Sequence, residues 1–250
     1  MKTHAIVLAA GKGTRLAEVY DIPKPLLPLS GKPVISYVLE RLQNLNIHPV
    51  IVIKHKKEII QEQLGNMYSY VVQGEDDGTG AAVRYAFDAL CMDKEDTIFV
   101  INADDSAFLT QDTLKKFMDF HETNKADLTV MTVKKENPYG YGRIVKDPIG
   151  KQLVAIVEEK DTSEDQKSIT EVNTGIFCFQ SSFLSSYIHA IQPNEHTGEY
   201  YITDLVALGK NNNKCLTAYV LEDDSQICGF NTPEQYLIAQ QHMERIKLRN

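Results

Sequence analysis

The chain has 250 residues, 43% of them hydrophobic, enough for a sizeable core in one large domain or two small ones. Its formal net charge of -8 and pI of about 5.4 leave no global basic field for nucleic acid or an anionic membrane, so a phosphate ligand has to be captured by a local cluster of cations. No stretch approaches the roughly 20 apolar residues of a membrane span, and the N-terminal apolar run 6–10 is too short for a secretory signal.

In chain order, the apolar run 5–10 predicts a buried strand that stops at the glycine turn Gly11-Lys12-Gly13-Thr14-Arg15. Nine residues after Arg15 comes Lys24, framed by Pro23 and Pro25, and then Gly31-Lys32-Pro33. Residues 33–45 predict a helix, with Ile35, Val38, Leu39, Leu42 and Leu45 at helical spacing and Pro33 in its first position. Strands are expected at 50–54, 70–73 and 98–102, with helices at 79–90 and 112–122. This alternation predicts a parallel sheet covered by helices on both faces, with ligands beyond the carboxyl ends of its strands. The first loop, the loop after Gln73 and the segment 102–105 all fall at such ends.

The second half reads as β-rich, with strands at 127–134, 142–146, 152–158 and 175–179. A helix around 200–208, a strand at 216–221 and a terminal helix from Pro233 complete it. The four cysteines, Cys91, Cys178, Cys215 and Cys228, form no Cys-x-x-Cys pair, and three sit in apolar stretches. They are expected to be reduced, structural thiols of a cytoplasmic protein.

A strand feeding a glycine-rich, cation-bearing turn is suited to holding phosphates, because glycines let backbone N–H groups face an anion. The turn is not a P-loop, since Gly-x-x-x-x-Gly-Lys-Ser/Thr is absent, and Leu16 takes the third glycine position of a dinucleotide fingerprint. The flanking prolines stiffen the segment that carries Lys24. The histidines show no metal-ligand spacing, and no Gly-x-Ser-x-Gly elbow is present.

The run Leu8-Ala9-Ala10-Gly11-Lys12-Gly13-Thr14-Arg15, with Pro23-Lys24-Pro25-Leu26-Leu27-Pro28 and Gly31-Lys32-Pro33-Val34-Ile35, resembles the signature of the sugar-phosphate nucleotidyltransferases. The likeness continues in order through Gln73, Gly78-Thr79-Gly80-Ala81-Ala82, Tyr141-Gly142-Arg143, Val157-Glu158-Glu159-Lys160-Asp161, Val172-Asn173-Thr174-Gly175 and Gly198-Glu199-Tyr200-Tyr201-Ile202-Thr203-Asp204. The series is most similar to the uridylyltransferase half of the bifunctional N-acetylglucosamine-1-phosphate enzymes and covers essentially the whole chain. That half usually carries histidine after Gly-Thr-Gly; here the residue is Ala81.

The resemblance implies an α/β fold: a Rossmann-like, three-layer, mixed but mostly parallel sheet with helices on both faces and a β-rich sugar-binding lobe. One nucleotidyltransferase domain would span 1–250, with a nucleotide-binding lobe at 1–125, a sugar-binding lobe at 126–230 and a C-terminal helix at 231–250. It further implies that Arg15 and Lys24 are the catalytic cations, and that Leu8, Ala10, Gly11, Gly13, Thr14, Gln73, Gly78 and Thr79 bind the nucleotide. Asp104, Gly142, Glu158, Lys160, Asn173 and Thr203 would bind the sugar phosphate, and Asp104 with Asn231 would hold Mg²⁺, Asp105 standing beside them.

Each residue also has a plain structural role to weigh. Thr79 suits a helix cap, Asp104 and Asp105 an Asx turn at a strand end, and Asn231 a helix entry before Thr-Pro. Glu158 and Lys160 read as alternate residues on one face of a strand end, Asn173 as a turn residue, and Tyr200-Tyr201 as core packing.

The expected reaction converts UTP and N-acetylglucosamine 1-phosphate to a UDP-sugar and pyrophosphate. Alternatives are glucose, N-acetylmuramate, another hexose 1-phosphate or phosphocholine, with UTP, dTTP or CTP. A different class, a non-catalytic sugar-nucleotide sensor, would have lost the charged residues that are kept here. The bifunctional relatives continue into an acetyltransferase; this sequence stops at Asn250 after one helix, so acetyl transfer is not expected.

Overall fold

The structure, a computed structural model, describes residues 2–104, 106–147, 149 and 152–247; Asp105 lies outside them. β1 (Thr3–Leu8) runs into the glycine turn and one turn of helix, α1 (Thr14–Ala17). A 3-10 turn at Lys24–Leu26 and the short strands β2 (Pro28–Leu29) and β3 (Lys32–Pro33) lead to α2 (Val34–Asn44). There follow β4 (Pro49–Ile53), α3 (Lys57–Leu64), β5 (Ser69–Val72), α4 (Thr79–Ala89), β6 (Thr97–Asn102) and α5 (Gln111–Thr123). The second half carries β7 (Leu128–Lys134), β8 (Arg143–Lys146), β9 (Leu153–Val157), α6 (Glu164–Lys167) and β10 (Glu171–Gln180). α7 (Ser181–Tyr187), α8 (Asp204–Asn211), β11 (Leu216–Leu221) and α9 (Pro233–Lys247) complete it.

Among the described residues, nine strands form one mixed sheet, ordered β11-β7-β10-β6-β1-β4-β5, with β8 beside β10 and β9 beside β8. β6, β1, β4 and β5 are parallel neighbours, and so are β7 and β11. β10 lies antiparallel between β6 and β7. Alternate residues of the central strands feed two cores. Ala5, Val7, Phe99 and Ile101 pack with Ile35, Val38, Leu39 and Leu42 of α2 and Phe117 of α5. Ile6, Ile98 and Val100 pack with Val83 of α4, Phe183 of α7 and Leu205 of α8. Both faces of the sheet are therefore dry, which is why these strands read as unbroken apolar runs. Each fully buried Leu, Ile, Val or Phe contributes about 1.5–3 kcal/mol relative to an exposed one.

A third apolar cluster positions the loops. Leu16, Leu27, Leu29 and Tyr37 pack with Phe230, Tyr236 and Met243, clamping α9 onto the segment after the glycine turn. The Tyr236 hydroxyl donates to the Pro28 carbonyl across the same seam.

Several expectations shift. Pro33 caps α2 instead of opening it. The helix expected near 200–208 begins only at Asp204, because the Tyr200 backbone is already committed: its N–H donates to Asp77 O at 2.9 Å and its carbonyl accepts from Gly80 N–H at 2.8 Å. β9 stops at Val157, and Glu158 opens a 3-10 turn at Glu159–Asp161, so strand alternation does not put Glu158 and Lys160 on one face. Asn173 lies inside β10, not at a turn, beside a register shift in the pairing with β7. Of the four free cysteines only Cys178 is buried; Cys91 and Cys215 are exposed. No helix among the described residues is long and apolar enough to cross a membrane.

Candidate active site

A cleft of about 500 Å³ opens where β1, β5 and β6 end. Leu8, Ala10, Gly11, Lys12 and Gly13 form one wall as the chain leaves β1. Gly13 has φ +56, and a Cβ there would sit 3.2 Å from Lys24 Cβ, so the glycine lets the turn close on the Lys24 stem. Leu16, in place of a third glycine, is a buried anchor in the third cluster. Thr14 is the first residue of α1. Arg15 is exposed and does not line the cleft.

Lys24 enters from its 3-10 turn and is only 9% exposed. Its ammonium is ion-paired with Asp104, donates to Asn231 Oδ1 at 2.9 Å and lies 5.1 Å from the centre of the Phe230 ring. The two expected metal ligands, from the end of β6 and the entry to α9, thus meet at one cation. Among the described residues no cluster of three or more His, Cys, Asp or Glu gathers to hold a metal, at this place or any other.

Gln73, 5% exposed, follows β5 directly. Its side-chain nitrogen donates to Asp76 O at 2.8 Å and to Gly78 O at 3.3 Å. Only the NH₂ end can donate to two carbonyls, so the amide oxygen is the group left to face the cleft. The following loop is braced by cations. Lys54 Nζ reaches Glu75 O, Asp76 O and Asp77 Oδ1, the last at 2.6 Å, and Lys12 pairs with Asp77 at 3.5 Å. The Lys54 hydrogen bond holds the Asp77 carboxyl below its usual range. Arg84 of α4 pairs with Asp76 at 2.5 Å and lies over the Tyr200 ring.

Gly78, not Thr79, caps α4; the Thr79 hydroxyl accepts from Ile202 N–H at 3.2 Å. With φ +102, Gly78 is the one residue type that fits, since a Cβ would stand 2.3 Å from the Tyr200 carbonyl oxygen. The same contacts seat the Tyr200–Tyr201 segment against the cleft, and Tyr201 and Glu199 line it.

A second polar group gathers beside this cleft. Glu158 accepts from Thr203 at 3.3 Å, and burial pushes its carboxyl pKa up. A Cβ at Gly142 would lie 3.6 Å from both Glu158 Oε2 and Asn173 Cβ, so Gly142, Glu158, Asn173 and Thr203 are neighbours. Asn173 Oδ1 accepts from Gly175 N–H at 2.9 Å. Lys160 is near enough for its charge to act on Glu158, and it joins the cleft through Tyr201, whose hydroxyl accepts from it at 3.2 Å. Gly175, at φ +75, leaves room for Asn102 Nδ2, which a Cβ would approach to 2.5 Å; Asn102 lines the cleft.

Sequence reasoning missed Lys12, Lys54, Asp77, Asn102 and Phe230 as site members. Lys12 and Phe230 sat next to named residues and were within reach of the motifs. Lys54 and Asp77 carry no local pattern, because their pairing spans 23 residues.

Comparison with known proteins identifies the family. The nucleotidyl transferase family matches residues 4–225. The chain is 36% identical over 243 residues to bifunctional protein GlmU of Enterococcus faecalis, covering 97% of this chain and 52% of that protein. It is 39% identical over 240 residues to bifunctional protein GlmU of Heliobacterium modesticaldum, covering 96% and 51%. It therefore spans about half the length of these curated relatives. A crystal structure of UDP-glucose pyrophosphorylase complexed with UDP-glucose shares the fold, with a TM-score of 0.76 over 98% of this chain and 100% of that one at 20% identity. The chain belongs to the nucleotidyl transferase family.

Proposed function

We propose that this chain is a cytoplasmic uridylyltransferase that joins UTP to N-acetylglucosamine 1-phosphate, or a closely related sugar 1-phosphate, releasing pyrophosphate. The observation that carries the reading is the juxtaposition of two polar sites at the strand ends. One is a glycine turn with a buried lysine and the Gln73 loop; the other is the Glu158–Thr203 group, which reaches the cleft through Asn173, Gly175 and Asn102, while Lys160 reaches it through Tyr201. On this reading residues 1–125 bind the nucleotide, 126–230 the sugar phosphate, and 231–250 form the C-terminal helix that brings in Asn231.

A phosphate oxygen of the sugar 1-phosphate attacks the α-phosphorus of the triphosphate in line, the bond to the β-phosphate oxygen breaks, and pyrophosphate leaves. The nucleophile is already ionised at neutral pH, so no general base is needed. The obstacle is repulsion between two anions, and the chain answers it with positioning and charge. The turn through Gly11, Gly13 and Thr14, with Leu8 and Ala10 behind it, cradles the triphosphate. Lys24 neutralises it from within the cleft, and Arg15, exposed outside the lining, turns in to add its charge. The Gln73 amide oxygen accepts the imide N–H of uracil beside Gly78 and Thr79. Glu158, Asn173 and Thr203 take sugar hydroxyls, Gly142 admits the ring, and Lys160 holds the sugar phosphate.

Asp104 and Asn231 offer one carboxylate and one amide oxygen, a hard donor set, and they already share one cation in Lys24. These residues fit a divalent ion, as the family generally uses, and we propose Mg²⁺. When bound there it supplies charge neutralisation on the phosphates.

Thymine presents the same imide edge as uracil, so dTTP is the second nucleotide to weigh. The test is pyrophosphate release across a grid of nucleoside triphosphates and sugar 1-phosphates, with and without Mg²⁺. UTP with N-acetylglucosamine 1-phosphate is expected to lead. Absence of release in every cell of the grid would overturn the enzyme reading in favour of a sugar-nucleotide sensor.

A further inference from the structure

The position between Asp104 and Asn231 already holds a cation, and that cation belongs to the chain. The Lys24 ammonium pairs with the Asp104 carboxylate, donates to Asn231 Oδ1 at 2.9 Å and has the Phe230 ring on a third side. Its stem is packed against Gly13 and the side chain is almost wholly buried. Asp104 follows β6, Asn231 precedes α9, and Lys24 sits on the 3-10 turn between α1 and β2. Three separate segments converge on a single cation-sized place.

We propose that Lys24 is a tethered competitor for the divalent metal: in the ligand-free chain its ammonium fills the metal position, and the metal enters as the triphosphate draws Lys24 away. This rests on the nucleotidyl-transfer reading above. A divalent ion and an ammonium cannot share one carboxylate at short range without strong mutual repulsion. A magnesium-type ion dehydrates reluctantly, and two protein ligands alone hold it weakly. The ammonium is tethered, so it returns to Asp104 without the entropic cost that free metal incurs on binding. Triphosphate changes the balance because it offers oxygens to both cations at once. Lys24 then moves from the carboxylate to a phosphate, and the two ligands are left to the metal.

Two consequences follow from linkage. Metal affinity without nucleotide is reduced by the fraction of chains whose site is open. Metal and triphosphate therefore bind cooperatively, each strengthening the other by the same factor. A purely structural Lys24–Asp104 pair, with the metal held elsewhere, makes a different forecast: removing the lysine leaves an unpaired carboxylate, costs stability and changes metal binding little.

The test is Mn²⁺ binding, followed by electron paramagnetic resonance of the free ion, to wild type and Lys24→Met. Methionine keeps a stem against Gly13 and Phe230 but carries no charge. Without nucleotide, Lys24→Met is expected to bind Mn²⁺ about tenfold tighter or more than wild type. With a non-hydrolysable UTP analogue present the gap should close. Asp104→Asn in the Lys24→Met background should abolish the gain, and Mn²⁺ should raise the melting temperature of Lys24→Met more than that of wild type. Equal or weaker Mn²⁺ binding by the folded variant overturns the proposal. Lys24→Ala provides the same comparison should Lys24→Met fail to fold, with circular dichroism as the check. Wild-type pyrophosphate release separates the two ideas: release without the Mn²⁺ gain sinks the competitor alone, and the gain without release sinks the transfer reading alone.

Discussion

Acid should destabilise this chain through one buried histidine. His121, in the last turn of α5, is 1% exposed. Its Nδ1 bonds Thr129 Oγ1 at 2.8 Å, which in turn bonds Thr217 Oγ1 at 2.8 Å, joining α5 to β7 and β11. Nε2 is buried without a hydrogen-bond partner. Protonation would place an N–H and a positive charge there with nothing to receive them. Burial accordingly lowers the His121 pKa from 6.5 to about 4, against the opposing pull of Asp127. Between these values the unfolded chain binds a proton that the native chain does not, so stability falls as pH falls. The loss contributed by His121 is ~2 kcal/mol at about pH 5 and approaches ~3 kcal/mol near pH 4. His121→Gln keeps a polar partner for Thr129 and removes the titration. Urea unfolding at about pH 7.5 and about pH 5 should show wild type losing ~2 kcal/mol more than the variant across that interval. Equal losses in both proteins, within ~0.5 kcal/mol, would refute the assignment.

Three further outcomes concern the cleft. Asp104→Asn should lower turnover by about 10²–10³ at saturating Mg²⁺ while leaving the fold intact, measured by pyrophosphate release; near-normal rates remove it from the metal site. Gly78→Ala forces a side chain into a left-handed position against the Tyr200 carbonyl oxygen and should cost ~2–4 kcal/mol in urea unfolding, with less than ~1 kcal/mol arguing against that close approach. Glu158→Gln should raise KM for the sugar phosphate while KM for the nucleotide stays put, and an equal rise in both would show that Glu158 does not address the sugar side.

Much of the cleft was legible because its parts are short and local. The glycine turn, the proline-framed Lys24, Gln73 and the Gly-Thr-Gly run each sit within a few residues of a strand end, where backbone geometry alone decides what faces a ligand. Asp104 and Asn231 were expected to meet at one site, yet nothing local said that Lys24 would stand between them, since the Lys24–Asn231 bond spans 207 residues. The helix expected at 200–208 failed for a related reason. Its first residues bond to the Asp77–Gly80 segment, and such a distant hydrogen bond overrides local helical preference. Alternation likewise broke down at Glu158, where a 3-10 turn over Glu159–Asp161 replaces the strand.

The sequence by itself determined the alternating α/β order, the buried strands, the glycine turn and the family to which they point, because periodicity and glycine placement act over a few residues. Tertiary structure alone decided where the cations rest: Lys24 on Asp104, Lys12 and Lys54 on Asp77, Lys160 on Tyr201. Charge pairing is a matter of distance in space. It becomes definite only when the three apolar clusters bring strand ends and α9 to one edge of the sheet.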